Sequence, residues 1–280
     1  MDSDDENSIL AQGLIKEFAE HCAAAADNVT VRLFGVQDNE VKRDRTGVLY
    51  RVADQHFILT AGHDLQGIVE HDIPLFLLPT WAEQEPIHLI DCQFHGTETH
   101  GRDVAAIRLT DRVFRSLPPP LEFLGHNSVD LNTDQGNGPF VIFGYPMQWP
   151  DRHDEGIHHT KAMVFVAQPY TGERHPDAFY DPKVNVILGF DRNSVDLGTQ
   201  TDFTLPHPRG ISGCGIWRSA DWRELPRKSW ADEKPRLVGL QHHYFRDSKY
   251  VQGTWIAYAL ELIVDSYPEL GNSMNLIYPR

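Results

Sequence analysis

After Asn28 the sequence breaks into short apolar runs, rich in β-branched and aromatic residues and separated by turn signals, a rhythm that points to antiparallel β structure. Val29–Phe34, Gly47–Val52 and His56–Thr60 read as strands, and Ala53-Asp54-Gln55 between the last two is hairpin length. Further strands are expected over 74–78, 87–94, 104–109, 140–146, 160–167, 183–188, 215–217, 236–241 and 253–258. The rhythm lapses at Leu117-Pro118-Pro119-Pro120 and the polar stretch 127–138, which divides the strands into two antiparallel units. Helical spacing is confined to the ends. Ile9, Leu10, Leu14, Ile15, Phe18 and Cys22 recur at three and four residues behind Ser8 as N-cap, and 257–267 can turn helical. The expected division is an acidic tail and helix over 1–28, a first β unit over 29–125 and a second over 126–280.

Charge narrows the partners. Asp and Glu number 40 against 25 Lys and Arg, a formal net charge of -15. Such a surface repels phosphate backbones and anionic lipids, so no nucleic acid and no membrane is expected as a partner. No stretch approaches the roughly 20 apolar residues of a membrane helix. Three cysteines (Cys22, Cys92 and Cys214) form no CxxC pair, which argues against a thiolate zinc site and fits a reducing compartment. The acidic first residues lack the basic start and apolar run of a secretory signal. The expectation is a cytoplasmic protein.

Three segments carry chemistry. Ile58-Leu59-Thr60-Ala61-Gly62-His63 runs an apolar strand into a small-residue turn that delivers a histidine. In Arg102-Asp103-Val104-Ala105-Ala106-Ile107-Arg108-Leu109 an aspartate opens an apolar strand. In Gly210-Ile211-Ser212-Gly213-Cys214-Gly215 a serine sits among glycines just before a strand. A hydroxyl is a weak nucleophile until a neutral imidazole takes its proton, and a carboxylate must hold that imidazole's other N–H. The oxyanion needs convergent backbone donors, here the amides of Gly210 and Ser212, and Gly210 permits the turn that aims them. Each segment alone is weak; the order His63, Asp103, Ser212 is one of the known triad orders.

With those residues in view the sequence resembles the trypsin-like (chymotrypsin-fold) serine peptidases of bacterial, intracellular type. Leu59–His63 is similar to the family's L-T-A-A-H, Asp103–Leu109 to D-I-A-L-L-R-L, and Gly210–Gly215 to G-D-S-G-G-P. Gly144-Tyr145-Pro146 and Val238-Gly239-Leu240 also match, so the resemblance spans roughly 29–265. It implies an all-β fold of two six-stranded antiparallel barrels with helices at both ends. It also implies a serine endopeptidase with protein or peptide substrates and no cofactor. The alternative is a catalytically silent fold that binds a protein partner. Ile211 stands where secreted members have the aspartate that pairs with a cleaved N-terminus, so that activation is not expected. Cys214 is expected as a small buried residue.

The resemblance places the substrate pocket near Arg209, Gln241, His242, His243 and Gly253. No aspartate occupies the pocket base, so a Lys or Arg preference is not supported. His242 and His243, with Arg209, could receive an acidic side chain, or could merely cap strand ends. The densest histidine cluster, His153, Asp154, Glu155, His158 and His159, is not read as a metal site, because adjacent strand residues face opposite ways. The polar, Pro-rich stretch 145–180 reads as a surface loop able to shape substrate entry. A cytoplasmic protease must be restrained, so a regulatory protein partner is expected, with the N-terminal helix as one contact.

Overall fold

Residues 3–38, 40–63, 65–79, 85–99, 101–136, 139–147, 150–152, 158–160, 162–195, 201–218 and 235–274 are described by the computed structural model. Seven strands build the first sheet: β1 (Thr30–Gln37), β2 (Glu40–Val52), β3 (Gln55–Thr60), β4 (Leu75–Leu78), β5 (Ile87–His88), β6 (Gln93–Thr99) and β7 (Arg102–Arg108). Their order is β5-β4-β1-β2-β3-β7-β6, antiparallel throughout. Six steps of about 4.8 Å would put the edges of a flat sheet ~29 Å apart. Yet β5 and β6 are joined by residues 89–92 alone, a link that reaches ~18 Å at most. The sheet must therefore curl until its edges approach. Six strands become seven because the expected strand 87–94 is broken by a turn in which Asp91 takes a left-handed φ of 59°.

The second sheet holds β8 (Phe140–Gly144), β11 (Met163–Ala167), β12 (Asn185–Gly189), β15 (Gly215–Arg218), β16 (Arg236–Phe245) and β17 (Tyr250–Trp255), in the order β11-β8-β15-β16-β17-β12. Its edges meet. Tyr170 N donates to Ile187 O at 3.0 Å and Gly189 N to Gln168 O at 2.9 Å, around a single Pro169–Leu188 bridge. Two small hairpins, β9 (Pro150–Arg152) with β10 (His158–Thr160) and β13 (Asn193–Val195) with β14 (Asp202–Thr204), stand outside it. This is a mostly β, two-barrel architecture of chymotrypsin-like type.

The strand sequences follow from burial on both faces. Along β2, Leu49 enters the first barrel's interior with Leu33, Ile58 and Ile107, while Val48 and Tyr50 point the other way. They join a second core formed by Phe57, Leu59, Val141, Phe143 and Trp217, between the barrels and the terminal helices. Phe140, Ile142, Ile216 and Val238 fill the second barrel. Alternate residues thus go to different cores, and the runs read as continuously apolar.

Helix α1 (Ser3–Asp27) begins within the stretch read as a solvated tail, and Phe18, Cys22 and Ala26 are buried on its inner face. Sequence reading placed helices only at the chain ends, whereas two short ones lie within the first unit: α2 (Leu65–Glu70) and α3 (Asp111–Ser116). Thr110 caps α3 by accepting from Val113 N at 3.2 Å. Helix α4 (Ile256–Ser266) buries Ile256, Ala259, Leu260 and Ile263, one face of a 3.6-residue period, and a last turn, α5 (Gly271–Met274), follows it. Among the described residues no helix is long and apolar enough to cross a membrane.

Candidate active site

Strand β3 ends at Thr60 and hands the chain to Ala61-Gly62-His63. A Cβ on Gly62 would lie 2.5 Å from Thr97 O and 2.9 Å from Val104 O. Only glycine lets this turn press onto β6 and β7, and that closeness delivers the Asp103 carboxylate. Its Oδ1 accepts from Gly62 N at 2.6 Å and His63 N at 2.8 Å, while Oδ2 meets His63 Nδ1 at 2.6 Å. An ionised carboxylate only accepts, so Nδ1 carries the imidazole proton and Nε2 is left with its lone pair. Buried Arg45 holds the turn from behind, donating from Nη1 to Ala61 O at 3.3 Å and His63 O at 3.1 Å.

Asp103 is 3% exposed. Burial opposes its ionisation, but the hydrogen bond from His63 and the nearby His242 and His63 outweigh that and hold its carboxyl well below the usual range.

Ser212 comes from the other barrel, on a loop folded by two left-handed glycines, Gly210 at φ +97° and Gly213 at φ +88°. Buried Thr46 fixes this loop to the first barrel. Its N–H donates to Ser212 O at 2.9 Å, and its hydroxyl donates to Gly210 O at 3.0 Å while accepting from Tyr145 N at 3.2 Å. A Cβ on Gly213 would fall 2.9 Å from Ala61 N, so the serine loop lies against the histidine turn. The Ser212 hydroxyl donates to His242 O at 3.2 Å. Among the described residues, His63 Nε2 and the amides of Gly210 and Ser212 have no hydrogen-bond partner.

His242 and His243 do not cap a strand end. They sit inside β16, where the register slips between Gln241 and His243. The bulge turns both rings toward Asp103, overriding the usual alternation. His242 Nδ1 lies 3.5 Å and His243 Nδ1 3.7 Å from Asp103 Oδ2, and the two nitrogens are 2.7 Å apart. The His243 ring centroid stands 5.3 Å from that of His63. Burial lowers the His242 pKa to about 3 against the opposing pull of Asp103, with His243 and His63 pushing the same way as burial. His243 is lowered too, by burial and then by His63.

A cleft of ≈ 250 Å³ opens here, with Glu98, Asp177, Phe179, His243, Phe245 and Gln252 on its walls and Asp103 and His242 at its inner end. Of the residues expected to bind substrate, His242 and His243 line it. Arg209 is exposed elsewhere, and Gln241 and Gly253 are paired and buried in the β16–β17 ladder. Asp177-Ala178-Phe179 belong to the stretch expected to shape entry. Sequence reasoning missed Arg45, Thr46 and Glu98, and did not anticipate that the Thr254 hydroxyl accepts from Asp103 N at 3.1 Å. Glu98 had a signal, since the turn around Gly101 puts it opposite Asp103 in the β6–β7 ladder. His153, Asp154 and Glu155 lie outside the described residues, as do the side chains of His158 and His159.

No family model and no curated protein matches this sequence. Solved structures do. A Glu endopeptidase in complex with MPD aligns at TM-score 0.49 and 14% identity, over 86% of this chain and 90% of that one. The HtrA-type protease AlgW with a tripeptide aligns at 0.49 and 12%, over 89% and 64%. The serine endoprotease from Yersinia pestis aligns at 0.47 and 12%, over 88% and 65%. This chain thus spans just under two thirds of the last two.

Proposed function

We propose that this protein is a serine endopeptidase in which Ser212 is the nucleophile, His63 the base and Asp103 the group that orients the base. The observation that carries the reading is the 2.6 Å contact of His63 Nδ1 with a carboxylate whose other oxygen is gripped by two backbone amides. That grip fixes the imidazole's tautomer and leaves Nε2 to accept a proton. The serine hydroxyl leaves His242 O, turns toward His63 Nε2 and attacks the scissile carbonyl as its proton passes to the imidazole. The oxyanion is received by the unused amides of Gly210 and Ser212. The imidazolium returns its proton to the leaving amine, and water then hydrolyses the acyl-enzyme by the same route.

The cleft is lined by Glu98, Asp103 and Asp177 against Arg102, which is already paired with Glu261 at 3.3 Å, and the two histidines already face Asp103, so a further carboxylate from substrate would meet net repulsion there. We therefore assign the cleft a basic or aromatic substrate residue and not an acidic one. The three unpaired, buried cysteines fit work in a reducing compartment such as the cytoplasm, where a protease surrounded by protein would need few targets and a protein regulator. One observation favours the silent, partner-binding reading: the serine hydroxyl is bonded to His242 O and not to the imidazole.

A fluorophosphonate probe separates the two. Labelling of the wild type that is lost in Ser212→Ala and in His63→Ala supports the hydrolase. Labelling that survives Ser212→Ala, or is absent from the wild type, overturns it. A peptide library then reads the side chain preferred in the cleft.

A further inference from the structure

Asp103 Oδ2 is faced by three imidazole nitrogens, at 2.6 Å from His63, 3.5 Å from His242 and 3.7 Å from His243. A triad needs one. Among these groups His63, Asp103 and His243 each offer a ligand atom, and those three atoms all lie within 4.8 Å of one another. We propose that His63, Asp103 and His243 form a reversible binding site for a divalent transition-metal ion, zinc by chemistry, and that the bound ion switches the hydrolase off.

The donor set is two imidazoles and one carboxylate, a ligand set that zinc takes with a fourth position left open. Metal–ligand bonds of about 2.1 Å in a tetrahedron separate ligand atoms by about 3.4 Å, and the contacts at 2.6 and 3.7 Å straddle that value. Binding asks the His63 imidazole to draw back from Asp103 Oδ2 by about 0.8 Å and His243, whose side chain is 51% exposed, to close in as its Nδ1 gives up the 2.7 Å contact with His242 Nδ1. The bulge in β16 supplies the arrangement, because it brings a histidine into reach that regular alternation would turn away. Oδ1 stays bonded to Gly62 N and His63 N throughout, so the carboxylate that anchors the ion is already immobilised.

The switch follows from where the protons sit. With no metal, His63 holds its proton on Nδ1 and its lone pair on Nε2. An ion bound at Nδ1 requires that nitrogen bare, so the proton moves to Nε2, and neutral His63 neither gains nor loses one overall. Nε2 then carries a hydrogen and has no lone pair with which to take the proton of Ser212. The nucleophile is untouched, yet it has lost its base.

The inhibitory meaning rests on the hydrolase reading; the binding does not, so the experiment measures binding first. Co2+ is titrated into the full chain after chelator treatment and followed by its visible ligand-field bands, and Zn2+ is measured by competition with a chromophoric chelator. The expected result is one equivalent bound with low-coordinate bands. His243→Gln should weaken binding about tenfold or more while keeping the wild-type circular dichroism, and Ser212→Ala should leave binding as it is. Histidine NMR should show His63 pass from the Nδ1–H to the Nε2–H tautomer on zinc addition. Absence of binding, or equal affinity in His243→Gln and wild type, overturns the site. Binding with no shift of the His63 tautomer overturns the switch. Where the wild type hydrolyses peptides, zinc should stop it and a chelator restore it. A protein that binds zinc as described but never labels with fluorophosphonate keeps the site and loses the hydrolase.

Discussion

Gly213→Ala tests the packing of the two barrels at the serine loop. Two costs combine. The residue sits at φ +88°, where a Cβ is disfavoured by about 1–2 kcal/mol. The new methyl would also fall 2.0 Å from Thr60 Oγ1 and 2.2 Å from Thr46 O, two atoms that are themselves hydrogen-bonded at 2.7 Å. Relieving that overlap means parting the bond or shifting a buried strand, a disturbance of about 1–3 kcal/mol. The expected loss is about 2–5 kcal/mol. Gly136→Ala is the matched control, because Gly136 has φ +54° and nothing within 4 Å of its would-be Cβ, so it carries the conformational cost alone. Urea unfolding of both variants isolates the steric part as their difference. A Gly213→Ala protein within about 0.5 kcal/mol of the Gly136→Ala protein would show that the serine loop does not press on the histidine turn.

Thr46→Val removes the hydroxyl that serves Gly210 O and Tyr145 N, and losing these two buried hydrogen bonds should cost about 2 kcal/mol, read from the urea midpoint. Asp103→Asn should keep the fold but lower turnover by about ten-thousand-fold, because an amide no longer fixes the Nδ1–H tautomer; a tenfold effect in peptide hydrolysis would contradict the assigned role. Acid should destabilise the chelated protein early. Folded His242 has a pKa of about 3, whereas an unfolded histidine has ~6.5. Between those values the unfolded chain holds more protons, so stability falls as pH drops below ~6.5, by about 2 kcal/mol at pH 5. The depressed Asp103 carboxyl adds its own loss only below ~4. His242→Gln should remove most of the loss between pH 8 and 5, and unfolding titrations that superpose after correction for the neutral-pH difference would contradict the burial argument.

The strand pattern and the His63–Asp103 pairing were legible because each rests on local grammar. An apolar run ending in Ala-Gly-His and another opened by Asp position their own side chains through the β3–β7 ladder. The strand over 87–94 misled because its apolar content hides the turn at Asp91. Helices α2 and α3 are too short for a periodic signal. His242 and His243 were placed at the pocket by resemblance, but their shared approach to Asp103 was not legible, because alternation sends neighbours to opposite faces and only the bulge between Gln241 and His243 cancels it. Thr46 and Arg45 act on segments far away in sequence, which no local pattern announces.

Hydrogen bonds cross between the barrels at the site in both directions: Thr46 N to Ser212 O, Tyr145 N to Thr46 Oγ1, and Asp103 N to Thr254 Oγ1. Under the proposed triad neither half alone carries nucleophile, base and orienting carboxylate, so fraying of the seam between them should silence hydrolysis before the chain as a whole melts. Amide exchange at Thr46 and Asp103 would therefore gauge readiness to act, and a ligand that tightens the seam would raise turnover without touching substrate.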